Sequence, residues 1–489
     1  MDFLIVLLLL PLGGALFILL WPNASPRLIR LLALSTASLA LLLSVVLSSA
    51  IDFNNPAVQL FSKYTWNPRL GTYFVFGVDG ISYPLIVLTQ LLILIALSVS
   101  GSIKERIKSY YVLVLLLEFA TTGVFISQGW ALFYVFWELV LIPLFFLIDR
   151  WGESQRQTAA LNFVLYTMGG SVFMLLSLLL LFDANPAHSF LFDSIKTAAQ
   201  ALPASEQTLI FLGLLIGFGV KMPIFPLHGW LPLADVEAPT PVAMLLSGIL
   251  VKMGAYGLIR SVDMLPQAAL QLQGLLVALG LIGIIYGGLL AWRQQNLKRM
   301  VAYASVSHMG AVLVGIATLN HYGLTGALTQ MLGHGLVSAL LFMLVGLLYE
   351  RTQTYNIDDY GSMLATTPLL AGLMVFALLG NVGMPGTIGF VAELHTLVGG
   401  FQRWTWLIAI LSLGVLISAT YSVRTAKRLY TGPMRGDWST MKDLNLSECM
   451  AGMALMAATL WLGFYPTLLI SRLQVSVSQW ASAFVQGGL

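Results

Sequence analysis

An all-α protein that crosses a bilayer about fourteen times is the fold class this sequence predicts, and three observations predict it. Of 489 residues, 58% are hydrophobic and only 9% charged, against roughly 25% charged in an ordinary water-soluble domain. Apolar runs long enough to cross a hydrocarbon core, about 18 residues or more, recur along the whole chain. Two of these runs are broken by proline or glycine in matching strings, "VKMP" at 220–223 and "VGMP" at 382–385. In hydrocarbon every backbone polar group must find its partner within its own segment, so the runs are helices.

Taken in order, the predicted spans are centred near residues 11, 40, 91, 119, 140, 171, 217, 250, 280, 309, 336, 382, 414 and 459. The first begins "MDFLIVLLLLPLGG", with an aspartate where a cleavable secretory signal carries Lys or Arg, and reads as a retained helix. Fourteen spans put both termini on one side. The odd-numbered loops then hold sixteen Lys and Arg and the even loops with the C-terminus six, Arg69 and Arg260 among them. The positive-inside rule therefore sets the odd loops in the cytoplasm and both termini opposite. The seventh span runs toward the cytoplasm and the twelfth away from it. Broken helices at corresponding, oppositely directed positions mark inverted-repeat transporters, whose ion path lies near the midplane.

Composition also excludes. The one cysteine, Cys449, supports neither a disulfide framework nor a multi-thiolate iron–sulfur cluster from this chain. No nucleotide-binding glycine motif is present, and a net charge of +3 is too small for a nucleic-acid partner. No cofactor is expected in this chain.

Five charges remain inside spans: Lys221, Lys252, Glu118, Glu138 and Glu393, with Asp79 at a boundary. Each costs about 2.5–3.5 kcal/mol at a helix centre, roughly 12–17 kcal/mol together if unpaired, so pairing or use is implied. Lys221 precedes Pro223 and Pro226, which cannot donate helical hydrogen bonds; the carbonyls they free, with water, would solvate its ammonium. Snorkelling to the interface is the bland alternative. Lys252, in "LLSGILVKMGAYGLIR", is too deep to snorkel, and Gly248, Gly254 and Gly257 allow close helix approach or bound water. Glu138, in "LFYVFWELVLIPLFF", would stay protonated alone, but two lysines offer it a partner with which it would titrate as a unit. Glu393 follows the second break and mirrors Lys221 with opposite sign. His308 and His334 could relay protons between Lys252 and Glu393, or be neutral core imidazoles. Glu118, as a buried partner of Glu138 or a lysine, and His228, as a site residue or a simple cap after the break, are weaker candidates. Asp79 reads as a cap of the third helix.

The strings "FWELVLIPLFFL", "VKMPIFPLHGWLP", "EAPTPVAMLLSGILVKMGAYGLIR", "NLKRMVAYASVSHMG", "HGLVSALLFMLVGLLYER" and "GMPGTIGFVAEL" together resemble the antiporter-like membrane subunits of respiratory complex I and its photosynthetic relative, over about residues 70–430. The resemblance implies a fourteen-helix fold with inverted five-helix repeats. Its segments would be an N-terminal three-helix segment and loop (1–105), a first repeat (106–265), a second in inverted topology (266–430), and a cytoplasmic loop with the last helix (431–489). It also implies a proton channel with Glu138 and Lys221 as a functional pair, Lys252 as central relay and Glu393 as distal group. A glutamate at position 393 is the habit of the chain 4, or NuoM, type, where Mrp antiporters usually carry lysine. The chain also stops after its fourteenth span without a long lateral helix.

One departure stands out. The family usually has Asp-Ala-His after "HGWLP"; here Leu233-Ala234-Asp235 follows, which would change access at that surface. With "LIDRWGESQRQTAALNFVLYTMGGSVFMLL", this resembles cyanobacterial variants specialised for carbon dioxide uptake. That implies a thylakoid location, lipid contact, a neighbouring chain-5-type subunit with a lateral helix, a carbon dioxide hydration module, and partners that supply the electrons to quinone. The rival readings are a free-standing or Mrp-type cation/proton antiporter, and a membrane cytochrome holding haem through His308 and His334.

Overall fold

A computed structural model describes residues 2–22, 25–67, 71–433, 435–436, 438 and 440–485; Arg69 lies outside them. Each predicted span is matched in order by a helix or by helices meeting at a break. Among the described residues, twelve helices are long and apolar enough to cross a membrane, and two shorter apolar ones, Ser82–Ser98 and Pro368–Asn381, accompany them. This is a multi-pass membrane protein.

Burial ranks the helices. Thr240–Met264 and His321–Thr352 are wholly buried over their most apolar windows, whereas Phe3–Leu20, Pro26–Ala50 and Leu446–Phe464 are only 33%, 28% and 22% buried. The outer helices thus turn Leu9, Leu16, Leu39, Leu42 and Trp461 outward, tolerable only where the surroundings are themselves apolar. The centre is where a polar side chain is best shielded from lipid. Both central helices carry one: Lys252 on the first and His334 on the second.

Both breaks are present. Ala204–Lys221 ends at the lysine, and the chain resumes as the short helix Leu231–Glu237. Pro368–Asn381 ends before Val382 and resumes as Ile388–Arg403. The two turns are built alike. Ile224 N–H donates to the Gly219 carbonyl at 2.9 Å, and Met384 N–H to the Leu379 carbonyl at 3.1 Å. A third irregularity was not foreseen: Leu246–Leu250, within the span of Lys252, is a π-helical turn.

Three elements on the even-loop side escaped the sequence reading. Strands Gln59–Asn67 and Thr72–Val78 form an antiparallel hairpin, anchored where Gln128 N–H donates to the Val75 carbonyl at 3.0 Å. The short helix Phe192–Ala201 is tied down by Lys196 and Asp263 at 2.9 Å. The chain also does not end at the fourteenth predicted span. Helix Thr467–Val485 follows, and its Trp480 indole N–H donates to the Ile259 carbonyl at 3.1 Å. Asp79 does cap the third span, accepting from Ser82 N–H at 2.9 Å, and it also pairs with Arg260 at 2.6 Å. Arg260 is accordingly not a free loop base.

Close packing fixes the glycines beside Lys252. A Cβ on Gly254 would stand 2.5 Å from Met222 N and 2.7 Å from the Phe218 carbonyl oxygen, and Gly257 faces the Phe218 ring. The space is filled by protein, so of the two expected roles close helix approach is the realised one. Gly254→Ala is expected to cost about 1–3 kcal/mol through overpacking against backbone that cannot yield. The check is a lowered thermal midpoint and a smaller yield of folded protein from membranes.

Candidate functional site

The Lys221 ammonium is fully buried. The carbonyl freed beside it does not solvate it, contrary to expectation: the Val220 carbonyl accepts the Trp230 indole N–H at 2.8 Å. Lys221 Nζ instead donates to the Trp137 carbonyl at 3.1 Å and lies 3.7 Å from the centre of the Trp137 ring. That carbonyl is free because its own helix is interrupted, Trp130–Leu139 giving way to Leu141–Trp151 at Val140. In a regular helix Leu141 N–H would take that carbonyl, but Leu141 begins the second segment, and Pro143 likewise leaves the Leu139 carbonyl without its donor. The cation is thus held by a carbonyl and an aromatic face, the two partners that stabilise an ammonium with no full counter-charge in contact.

Glu138, half-buried, is next in sequence to Trp137 and within electrostatic reach of Lys221. No ion pair within 4.0 Å joins them among the described residues, and Glu138 Oε1 has no hydrogen-bond partner. They form a separated pair, close enough to sense each other and far enough to move independently.

Lys252 is also fully buried, and its contacts are short. Nζ lies 2.5 Å from the Ser247 carbonyl and 2.6 Å from His334 Nδ1. The π turn explains the first contact. Its wider winding leaves the Ser247 carbonyl without the usual donor four residues on, and the side chain five residues on takes it. The second contact is a proton-transfer geometry: a charged amine donates to Nδ1, a neutral one accepts from it.

The line continues from there. The His334 and His308 rings are 5.3 Å apart between centroids. His308 Nδ1 meets Gln330 Nε2 at 2.9 Å, and its Nε2 meets Asn381 Oδ1 at 3.0 Å. Asn381 is the last residue before the second break, and its amide donates to the Tyr421 hydroxyl at 2.9 Å. A cavity of about 50 Å³ joins His308 and Gln330 to Glu393, with Ser307 and Ser418 in its wall; one water needs only about 10–15 Å³ on this measure. Glu393 reaches back into the break. Gly383, φ +77°, has no side chain, and a Cβ there would stand 2.7 Å from the Glu393 carboxyl carbon. Buried hydroxyls on the His334 helix, Thr325, Thr329 and Ser338, have no protein partner among the described residues.

Other expectations fail. Glu118 is fully buried, but neither carboxylate oxygen has a hydrogen bond or ion pair; it partners neither Glu138 nor a lysine. The His228 side chain caps nothing: it packs between Phe225 and Tyr286, and Nδ1 is unpartnered. The haem reading gains no support, since both ring nitrogens of His308 and Nδ1 of His334 meet protein partners. Lys298, one of the sixteen basic residues the sequence assigns to odd-numbered loops, is 1% exposed, with Nζ 2.7 Å from the Ala238 carbonyl and 2.9 Å from Glu153 Oε1. The Tyr355 hydroxyl also donates to Glu153, at 2.6 Å; burial and that carboxylate hold the phenol above its ordinary range. Asp235, expected at a surface, is completely buried.

A multi-pass membrane protein with lysines, histidines and carboxylates strung through its most buried helices belongs to the class that moves small cations across a bilayer. More narrowly, the chain belongs to the NADH:quinone oxidoreductase/Mrp antiporter transmembrane family, whose pattern matches residues 127–418. It is 38% identical to NAD(P)H-quinone oxidoreductase chain 4 2 of Thermosynechococcus vestitus, over 98% of this chain and 91% of that one. It is also 38% identical to NADH-ubiquinone oxidoreductase chain 4 of Arabidopsis thaliana, over 96% and 95%. Among solved structures it resembles a chain of respiratory complex I from Thermus thermophilus, with TM-score 0.89 and 30% identity over 98% of this chain and 99% of that one. The matched region includes Glu138, Lys221, Lys252, His308, His334, Asn381 and Glu393, but neither Glu118 nor Tyr421.

Proposed function

We propose that this chain is the proton-translocating, chain 4-type membrane subunit of a complex I-like NAD(P)H-quinone oxidoreductase, with electron transfer carried out by partner subunits. The observation that carries the reading is the continuous polar line Lys252–His334–His308, extended through one cavity to Glu393. Lys252 touches His334 and a water-sized space joins His308 to Glu393, and a ring rotation across the 5.3 Å between the two imidazoles closes the remaining step, so a proton can pass without a bare charge entering hydrocarbon. Glu138 and Lys221 form the switch at one end: when the ammonium moves toward the carboxylate, its positive charge shifts away from the Trp137 carbonyl and ring, and the potential at Lys252 changes. Gly254, two residues beyond Lys252, packs on Met222, the residue after Lys221, which couples the two lysines mechanically. Moving one charge against 100 mV requires about 2.3 kcal/mol, which the partners must supply.

In this reading the chain crosses the membrane fourteen times, residues 106–265 and 266–430 form inverted five-helix repeats, the odd loops are cytoplasmic and both termini lumenal. The similar turns after Gly219 and Leu379 support the repeat. The Thermosynechococcus relative and the Leu233-Ala234-Asp235 departure support a thylakoid complex with a plastoquinone acceptor, a chain-5-type neighbour with a lateral helix and a carbon dioxide hydration module. The family also includes Mrp antiporters, but a glutamate at 393 speaks against that reading.

Affinity isolation through a tag on this chain, followed by reconstitution into vesicles, tests the proposal. The expected result is co-isolation of quinone-reducing partners and proton uptake tied to quinone reduction. A lone oligomer that exchanges a metal cation for protons without any electron donor would overturn it.

A further inference from the structure

The short helix Leu231–Glu237 carries two carboxylates with opposite fates. Glu237 is satisfied, its Oε2 accepting the Gln155 N–H at 2.6 Å. Asp235, two residues earlier, is fully buried, and neither oxygen has a hydrogen-bond partner among the described residues. It is not isolated from charge: Lys298 Nζ lies 2.7 Å from the Ala238 carbonyl, three residues on, and both Lys298 and Lys252 are within electrostatic reach of its carboxyl. Lys298 in turn contacts Glu153 at 2.9 Å. Glu153 is 28% exposed on its side chain, so this end of the array opens toward the odd-loop face.

We infer that Asp235 is a proton-relay group linking the Glu153–Lys298 pair at the odd-loop face to Lys252 in the membrane core. A structural carboxylate at this depth would be expected to use its oxygens, as Glu237 does, because an unpaired buried acceptor costs free energy. Two free oxygens allow a carboxyl group to receive a proton on one and release it from the other, returning to its starting state with no net change in bonding. The flanking ammonium groups keep its charged form accessible, and its protonated form is neutral and tolerable in a dry site. The inference rests on the proposed proton-translocating function and gives the core lysine an inlet separate from the Lys221 side.

The test is proton uptake per electron in vesicles carrying the whole assembled complex, with Asp235→Asn, Asp235→His and Lys252→Met compared. The expected result is a severalfold lower ratio for Asp235→Asn, with recovery toward wild type in Asp235→His, which restores a titratable group. A wild-type ratio in Asp235→Asn alongside a lost ratio in Lys252→Met overturns this inference and leaves the main axis standing; wild-type ratios in both overturn the axis as well. Should Asp235→Asn not assemble, infrared difference spectra under turnover compare wild type with Asp235→Glu. A carboxyl band that moves between them supports the relay, and the absence of any such band overturns it.

Discussion

Replacing Lys252 with methionine is expected to lower proton translocation by at least about tenfold, equivalent to 1.4 kcal/mol or more on the transfer barrier, while the assembled complex remains in the membrane. Methionine matches the length and apolar volume of the lysine stem, so the packing of Gly254 on Met222 has no reason to change. What disappears is, among the described residues, the one side chain that contacts both the Ser247 carbonyl and His334 Nδ1. The imidazole keeps its place beside His308 but loses its proton donor, and the line is cut at its most buried point. Protons taken up per electron, measured with a pH-sensitive dye in sealed vesicles, is the readout. A wild-type value in fully assembled complex would remove Lys252 from the path.

The second large effect is expected at the separated pair. With an effective dielectric constant near 20, two unit charges roughly 4–8 Å apart interact by about 2–4 kcal/mol. Glu138→Gln removes that attraction without altering shape, leaving Lys221 with the Trp137 carbonyl and ring alone. Translocation should fall on the order of tenfold for such a loss. Lys221→Ala should abolish coupling while assembly is preserved. The double variant should be no worse than Lys221→Ala, because a carboxylate with no ammonium to attract has nothing left to switch. Independent, additive losses would instead mean that the two residues act at unrelated steps.

How far the sequence revealed this site depends on where each charge sits. Lys252 was legible because apolar residues flank it on both sides, and a lysine that cannot reach water must find a partner inside. Lys221 was legible from the prolines after it, although its true partner comes from an interruption in another helix more than eighty residues earlier. Lys298 and Asp235 were missed because they stand near span ends, where a charge reads as solvated. What buries Lys298 is a loop carrying Glu153 and another carrying Tyr355, and no local pattern announces that contact. The hairpin and the last helix were missed for a different reason. A search for long apolar runs passes over short or amphipathic elements, yet the aromatic and β-branched composition of "TYFVFGV" was open to a strand reading. The spans themselves were legible because their signal is the solvent: hydrocarbon permits few backbone solutions.

The π turn at Leu246–Leu250 carries a consequence that residue identities alone do not express. Such a turn is an ordinary helix with one residue too many, and each residue of an ordinary helix advances the direction of its side chain by about 100°. Rewinding the five as regular α-helix, with no residue lost, would turn everything downstream around the axis by up to about that angle. The ammonium would then point away from the imidazole, although no chemical group had been changed. In this protein the aim of the central base is therefore stored in the winding of its own helix, so the turn between Thr240 and Lys252 is as much under constraint as the lysine itself.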